Sequence, residues 1–491
     1  MKENCFQKTV IGIKTRCNAV IQRFSDVVIR PSVTPLHQLV EWLLIKYLYI
    51  FLTVMVLKGQ YYYGSNGYHI DFIFWKEIIA FVGFSLTAVF LLIFRVQDFF
   101  LGNLIRVLFV LYFIPVNSAF AINNASFGFF FLSHLYFLLL VGCSYLADRF
   151  VLKRVKKLHP IPASLRRDRI TNRTLNALFF GICILYIIHK IGYNGLDFSL
   201  SLASEDVYGT RADYQVYLQE ISGTLFAYAL ALVRYLVSAI VAFYIVSALS
   251  RRKWSAVVCL VITVLSMYSV AMQKSILFVP LLAVIIYLCG KLKILRNFDR
   301  VFVLGIILLL MGCVAEHLIL GSDRIYTLFV RREMYYPAWL NHLYYDFFSE
   351  NPKVMWTQNV FLMQNLLEPV YDISPLDLIS NAYFGGQIPS PNTGLFAEAY
   401  MHFGFAGILL YPLGLTAVFC VLSLIYREYG PAFSIVMMLK LALSLTNVSI
   451  VRTDSVISIF FFAAIVFIIP RLNFSPLRER LSSIRLPKFQ K

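Results

Sequence analysis

VFVLGIILLLMGCVAEHLI runs from Val301 to Ile319, and no charged residue interrupts it before Glu316. As an α-helix it is about 28 Å long, close to the ~30 Å thickness of a bilayer's hydrocarbon core. Its N-terminal side is basic, with Lys291, Lys293, Arg296 and Arg300. Its C-terminal side opens into a largely polar stretch that lasts from residue 320 to residue 398. Positive charge collects on the cytoplasmic side of membrane helices. The stretch therefore reads as a transmembrane helix with a cytoplasmic start and a long outer loop behind it.

Comparable apolar runs recur from end to end. They lie near 39–57, 73–94, 104–122, 127–147, 174–191, 223–249, 254–272, 275–290, 400–426, 431–450 and 455–470. The 491 residues are 59% hydrophobic and only 14% charged, against about a quarter charged in soluble domains. The expected fold is an all-α polytopic integral membrane protein of about 12 transmembrane helices with a large extracytoplasmic loop. The formal net charge of +18 does not require a nucleic-acid partner. The N-terminal segment, the loops near 148–173, 251–253 and 291–300, and the tail hold most of the Lys and Arg, and with an even count of spans all face the cytoplasm. Residues 1–38 form a cytoplasmic N-terminal segment, 39–470 the transmembrane domain, and 471–491 a basic cytoplasmic tail. The outer side receives loops 192–222 and 320–398. Both termini are expected in the cytoplasm and the protein in the plasma membrane, the inner membrane of a bacterium. The first apolar run begins near Leu39, too far in for a cleavable signal peptide, so the first helix itself inserts the chain. None of the eight cysteines falls in an outer loop, and no disulfide framework is implied.

Outer-face cations are scarce under this topology, which makes Arg211, Lys274, Arg324, Arg331, Arg332, Lys353 and Arg452 conspicuous. Guanidinium groups bind phosphate oxygens bidentately and ammonium adds a point charge, so a convergence of these residues suits a diphosphate. Arg324 and Arg331 are seven apart and share a face if the stretch is α-helical. The alternative is local pairing: Arg211 with Asp213, Arg331 with Glu333, Arg452 with Asp454. Glu398 lies in the box NTGLFAEAYMHFGFAG, from Asn392 to Gly407, which opens the re-entering helix. Asn392 or Thr393 is the expected cap of that helix. Glu398 reads either as a general base or as an acid favoured near a helix N-terminus. His402 shares its face, as a further site residue or as packing. Glu316 and His317 sit at the outer end of their span, near the same place. No phosphate loop, HExxH, zinc-spaced cysteine pair or DxD is present, so neither a metal nor any other cofactor is expected.

The ordered set of Arg331 and Arg332, then Tyr344, Tyr345, Phe347, Phe348 and Pro352, then Asn392, Gly394, Glu398, Tyr400, Phe403, Gly404 and Gly407 resembles the bacterial oligosaccharide repeat-unit polymerases, the Wzy family. Gln273, Lys274 and Ser275 resemble that family's small-residue–Lys turn. The motif-level likeness covers about 270–410. The resemblance implies a glycosyltransferase of the polytopic C-type (GT-C) architecture, acting on undecaprenyl-diphosphate-linked oligosaccharides as donor and acceptor. It implies O-antigen, capsule or similar polysaccharide synthesis, among membrane lipids and alongside chain-length regulator and flippase proteins. Glu398, Arg331 and Arg332 become the expected catalytic groups. Arg211, Lys274, Arg324, Arg452, Tyr345, Asn392, Tyr400 and His402 become the expected substrate contacts. An O-antigen ligase would share the class, with His342 the histidine well inside the long loop. A flippase of the same lipid-linked sugar would share the hydropathy but not the long outer loop.

Overall fold

The computed structural model describes residues 34–58, 70–155, 169–195, 252–271, 274–291, 297–386, 394–427 and 431–450, apart from a few positions between 359 and 365, together with isolated positions among 213–249 and residue 391. The described chain is all-helical. In order come α1 (Pro35–Leu57), α2 (Phe74–Ile93), α3 (Phe99–Ile122), α4 (Phe127–Leu152), α5 (Arg169–Asn194), α6 (Trp254–Ala271), α7 (Lys274–Lys291) and α8 (Phe298–Leu320). They are followed by α9, a π-helical Tyr326–Tyr335 running directly into α-helical Tyr336–Glu350. The last are α10 (Pro375–Phe384), α11 (Phe396–Phe403), α12 (Phe405–Arg427) and α13 (Pro431–Asn447).

Local chemistry sets several of these boundaries. Thr34 accepts from the His37 amide ahead of Pro35, which sits in the first turn of α1. Proline fits there because its missing N–H would have had no helical partner. Asp98 accepts from the Leu101 amide at 2.8 Å and starts α3. Ser126 does the same for α4 through Phe129. Gly321, at φ +58°, closes α8 in the left-handed conformation that glycine takes without a Cβ penalty.

Helices α1, α2, α3, α4, α8 and the Phe405–Ile425 part of α12 are each long and apolar enough to cross a membrane. Shorter apolar stretches occupy α6, α7 and α13. Six long apolar helices fit a membrane-embedded protein by length and composition. Of the expected twelve spans, 223–249 lies largely, and 455–470 wholly, outside the described residues. Helix α3 is the axis of the bundle. It packs against α1, α2, α4, α8, α9, α12 and α13, and 89% of its apolar stretch is buried, against 33–56% for those of the other five long helices. Its π turn, Phe109–Phe113, is wholly buried. There the Phe109 ring lies 4.7 Å from Trp42 and 5.5 Å from Phe84. Lys46 of α1 and Glu77 of α2, passed over by hydropathy, form a buried ion pair at 2.6 Å. Two charges this deep require each other, since either alone would be strongly penalised.

Two sequence expectations change. The apolar run near 400–426 is not one helix: it breaks at Gly404, whose φ of +56° and ψ of −130° belong to a region that side chains disfavour. A short α11 precedes the break and the long α12 follows it. The stretch 320–398 is not a plain polar loop either. Its first part is α9, which buries Tyr326, Tyr335, Tyr344 and Phe348 against α3, α11 and α10. At the α11–α12 corner, a side chain at Gly407 would collide with the Ala399 carbonyl. Gly407→Ala is therefore expected to cost about 3 kcal/mol or more, within the usual range of severe packing errors. Thermal aggregation of the purified protein reads this loss, and an unchanged midpoint would contradict the close approach.

Candidate functional site

Helix α11 has eight residues, too few to be stable alone. Leu395 at its cap makes no side-chain bond and holds φ +56°. The helix thus starts later than the Asn392 or Thr393 cap that the sequence suggests. Its first amides are satisfied from other helices instead. The Phe396 N–H donates to the Tyr112 hydroxyl of α3 at 3.2 Å, and the Ala397 N–H donates to Asn341 Oδ1 of α9 at 2.9 Å. Tyr112 in turn donates to Asn341 Oδ1 at 2.9 Å, and Asn341 Nδ2 donates to the Pro337 carbonyl at 2.7 Å. Asn341 is fully buried. Asn341→Ala strands the Ala397 amide and the Tyr112 hydroxyl, an expected loss of about 3 kcal/mol at 1–3 kcal/mol per orphaned group. Thermal unfolding in detergent measures it; a loss under about 1 kcal/mol would mean the network is dispensable.

This tertiary cap places Glu398 one turn into α11, only 2% exposed. Its Oε1 accepts from Ser449 Oγ at 2.7 Å and its Oε2 from the Ile450 amide at 3.1 Å. The turn after α13 also receives the arginine segment. Asn447 Nδ2 donates to Glu333 Oε2 at 2.9 Å, and Glu333 Oε1 lies 3.8 Å from Arg332 Nε. Residues 447–450 therefore tie Glu398 to the helix that carries Arg331 and Arg332. Gly394 seats the other strand of this junction: a side chain there would collide with the Leu445 carbonyl oxygen.

Tyr345 and Tyr400 meet at 4.8 Å between ring centroids. Lys353 Nζ stands 4.8 Å over the Tyr400 ring, and partial burial lowers its ammonium below the ordinary lysine range. The segment that carries Lys353 also closes the C-terminus of α11. The Val354 and Met355 amides donate to the Met401 and His402 carbonyls at 3.0 and 3.1 Å. His402 is fully buried. Its Nδ1 accepts from the Trp356 amide at 3.3 Å, which puts the proton on Nε2, an atom with no hydrogen-bond partner among the described residues. Trp356 Nε1 donates to Tyr411 at 2.8 Å beside it.

Glu398 and His402 lie one turn apart on one side of α11, while Tyr400, stacked with Phe396, meets Tyr345 and Lys353 on another side; Arg331 and Arg332 belong to α9. Arg324 does not share their face in the expected way. It is exposed, and the π-helical turns from Tyr326 to Tyr335 hold more residues each than α turns, so a spacing of seven no longer returns to the same side. Arg211, Asn392 and Arg452 lie outside the described residues, as does the side chain of Lys274. Glu316 is a structural residue. It accepts from Ser322 Oγ and from the Arg324 and Ile325 amides at 2.8–3.2 Å, capping the start of the next helical segment. His317 pairs with Asp323 at 2.6 Å.

No family model, curated protein or solved structure matches this chain.

Sequence alone missed two contributors. Asn341 and Ser449 are ordinary polar residues until the fold brings them to α11, and nothing in their spacing marks them. Lys353 stood among the outer-face cations, yet only the turn at Met355 and Trp356, both at positive φ, carries it to Tyr400. α11 carries a buried carboxylate and a tyrosine that pairs with Tyr345 under the Lys353 ammonium, and α9 carries two guanidinium groups on the segment that the 447–450 turn holds through Glu333. Guanidinium groups of this kind bind anions through charge-assisted hydrogen bonds.

Proposed function

We propose that this protein is a C-type, lipid-linked glycosyltransferase that polymerises undecaprenyl-diphosphate oligosaccharide repeat units at the outer face of the plasma membrane. The observation that carries this reading is the shared turn at 447–450, which anchors Glu398 and the Arg331–Arg332 segment side by side. In the reaction, an acceptor hydroxyl at the non-reducing end of a new repeat unit attacks the anomeric carbon of the growing chain. The bond from that carbon to the lipid diphosphate breaks, and Glu398 takes the hydroxyl proton. Diphosphate is already a good leaving group, so its departure needs charge stabilisation more than a strong acid. Preorganised guanidinium groups supply that stabilisation best where water is scarce. Tyr345 and Tyr400 offer rings for sugar stacking.

Purified protein incubated with lipid-linked repeat units and no nucleotide should build a ladder of longer lipid-linked products on a gel. Absence of any ladder from active substrate would overturn the proposal. The topology is checked separately. In intact spheroplasts, a cysteine at position 350 should react with a membrane-impermeant reagent and one at position 160 should not; the reverse pattern would place the site on the wrong side.

A ligase is the second reading, favoured by the buried His342, whose Nε2 is 2.9 Å from Asp346. It transfers the finished chain to an acceptor other than the undecaprenyl-linked repeat unit, so a single-step product in place of a ladder would identify it.

A further inference from the structure

A charged pocket lies beside the first half of α3. It forms where α1 begins, where α2 hands over to α3, and where α8 begins. Arg106 Nη1 pairs with Asp299 at 2.9 Å, and Arg300 Nε lies 3.9 Å from Glu41. These two acids offset two of the three arginines that line the pocket. The third, Arg95, is exposed at the rim and has no acidic partner among the described residues. One positive charge is thus left over at a site otherwise furnished with amides and apolar side chains.

The empty space is ≈ 100 Å³, well short of the ~300–1,000 Å³ typical of pockets for whole small molecules. It has room for a small headgroup and not for a sugar nucleotide. The surface there is partly apolar: Ile93, two residues before Arg95 at the end of α2, is 68% exposed, and Phe302 lines the pocket itself. A ligand that places one negative charge in the pocket and apolar chains against these residues fits both features. A free phosphate ion would leave the apolar surface unused.

We infer that this pocket binds the singly charged phosphodiester headgroup of an anionic membrane lipid. Basic pockets between membrane helices recognise such headgroups through arginine–phosphate bonds. Arg95 supplies the charge, and the Arg106–Asp299 and Arg300–Glu41 pairs fix the walls.

The test is thermal unfolding of the purified full-length protein, titrated with short-chain phosphatidylglycerol, with phosphatidylcholine of the same chain length, and with inorganic phosphate. Phosphatidylglycerol should raise the midpoint saturably, and phosphatidylcholine should not. Arg95→Gln, at an exposed side chain that should not disturb folding, should weaken the phosphatidylglycerol response about tenfold, the scale of one charge-assisted hydrogen bond. Arg95→Lys should keep most of it. Equal stabilisation by the two lipids, or an undiminished response in Arg95→Gln, would overturn the site. Inorganic phosphate acting at the same concentration as phosphatidylglycerol would overturn the lipid as the source of the anion.

Discussion

Glu398→Gln is expected to fold, reach the membrane and polymerise on the order of a hundredfold more slowly than the parent, the usual scale for an acid–base group. The hydrogen bonds explain why folding survives. A glutamine carbonyl can accept from the Ile450 amide, and its NH₂ can donate to Ser449 Oγ, because a hydroxyl serves either role. The contacts seen for the carboxylate are therefore nearly preserved while the proton acceptor is lost. Glu398→Ala is different. It strands a buried hydroxyl and a buried amide, at about 1–3 kcal/mol each, and would confuse stability with turnover. The measurement is the polymer ladder per unit of immunoblotted protein. Near-parental polymer from well-expressed Glu398→Gln would leave Glu398 as an anchor for the 447–450 turn and move the base elsewhere.

Arg332→Lys should lose at least about tenfold in activity, and Arg332→Ala more, with almost no loss of stability. The side chain is 45% exposed and its ion-pair distance to Glu333 is 3.8 Å, a geometry worth well under about 1 kcal/mol. A structural role is therefore too small to explain a large phenotype. Lysine retains the charge but loses the planar fork that engages two phosphate oxygens at once. Arg331→Lys, one residue away and half-buried, should behave similarly. If the lysine and alanine variants at both positions polymerise normally, the diphosphate is held by other groups.

Much of the helical layout could be read from hydropathy, because a long apolar run has few alternatives to a membrane helix. α1, α2, α3, α4 and α8 fall where their apolar runs lie. What hydropathy missed was the material between spans. The tyrosines of α9 score as weakly polar, yet Tyr326, Tyr335 and Tyr344 are almost wholly buried, with hydroxyls bonded to groups on distant elements such as Thr53 and the Pro391 carbonyl. No windowed average anticipates such partners. The break at Gly404 was hidden for a related reason, since one glycine scarcely lowers the mean of an apolar stretch. The site was half legible. The box around Glu398 stood out by composition, and its glycines were legible as a pattern without a cause. The cause is three-dimensional: Gly394 and Gly407 each meet another backbone segment, and Gly404 turns the chain. The spacing of Arg324 and Arg331 misled because it assumed α geometry where the chain is π-helical.

The borrowed cap of α11 has a consequence for assembly. A helix of eight residues cannot nucleate on its own, and the acceptors for its Phe396 and Ala397 amides belong to α3 and α9. It forms only once those two helices have docked, so it is a late event in biogenesis. Amide exchange at Phe396 and Ala397 should consequently follow the slow opening that separates α3 from α9, and not local fraying. Glu398 has no fixed position before that step, so under the proposed function a nascent or half-inserted chain would be chemically silent until the bundle is complete.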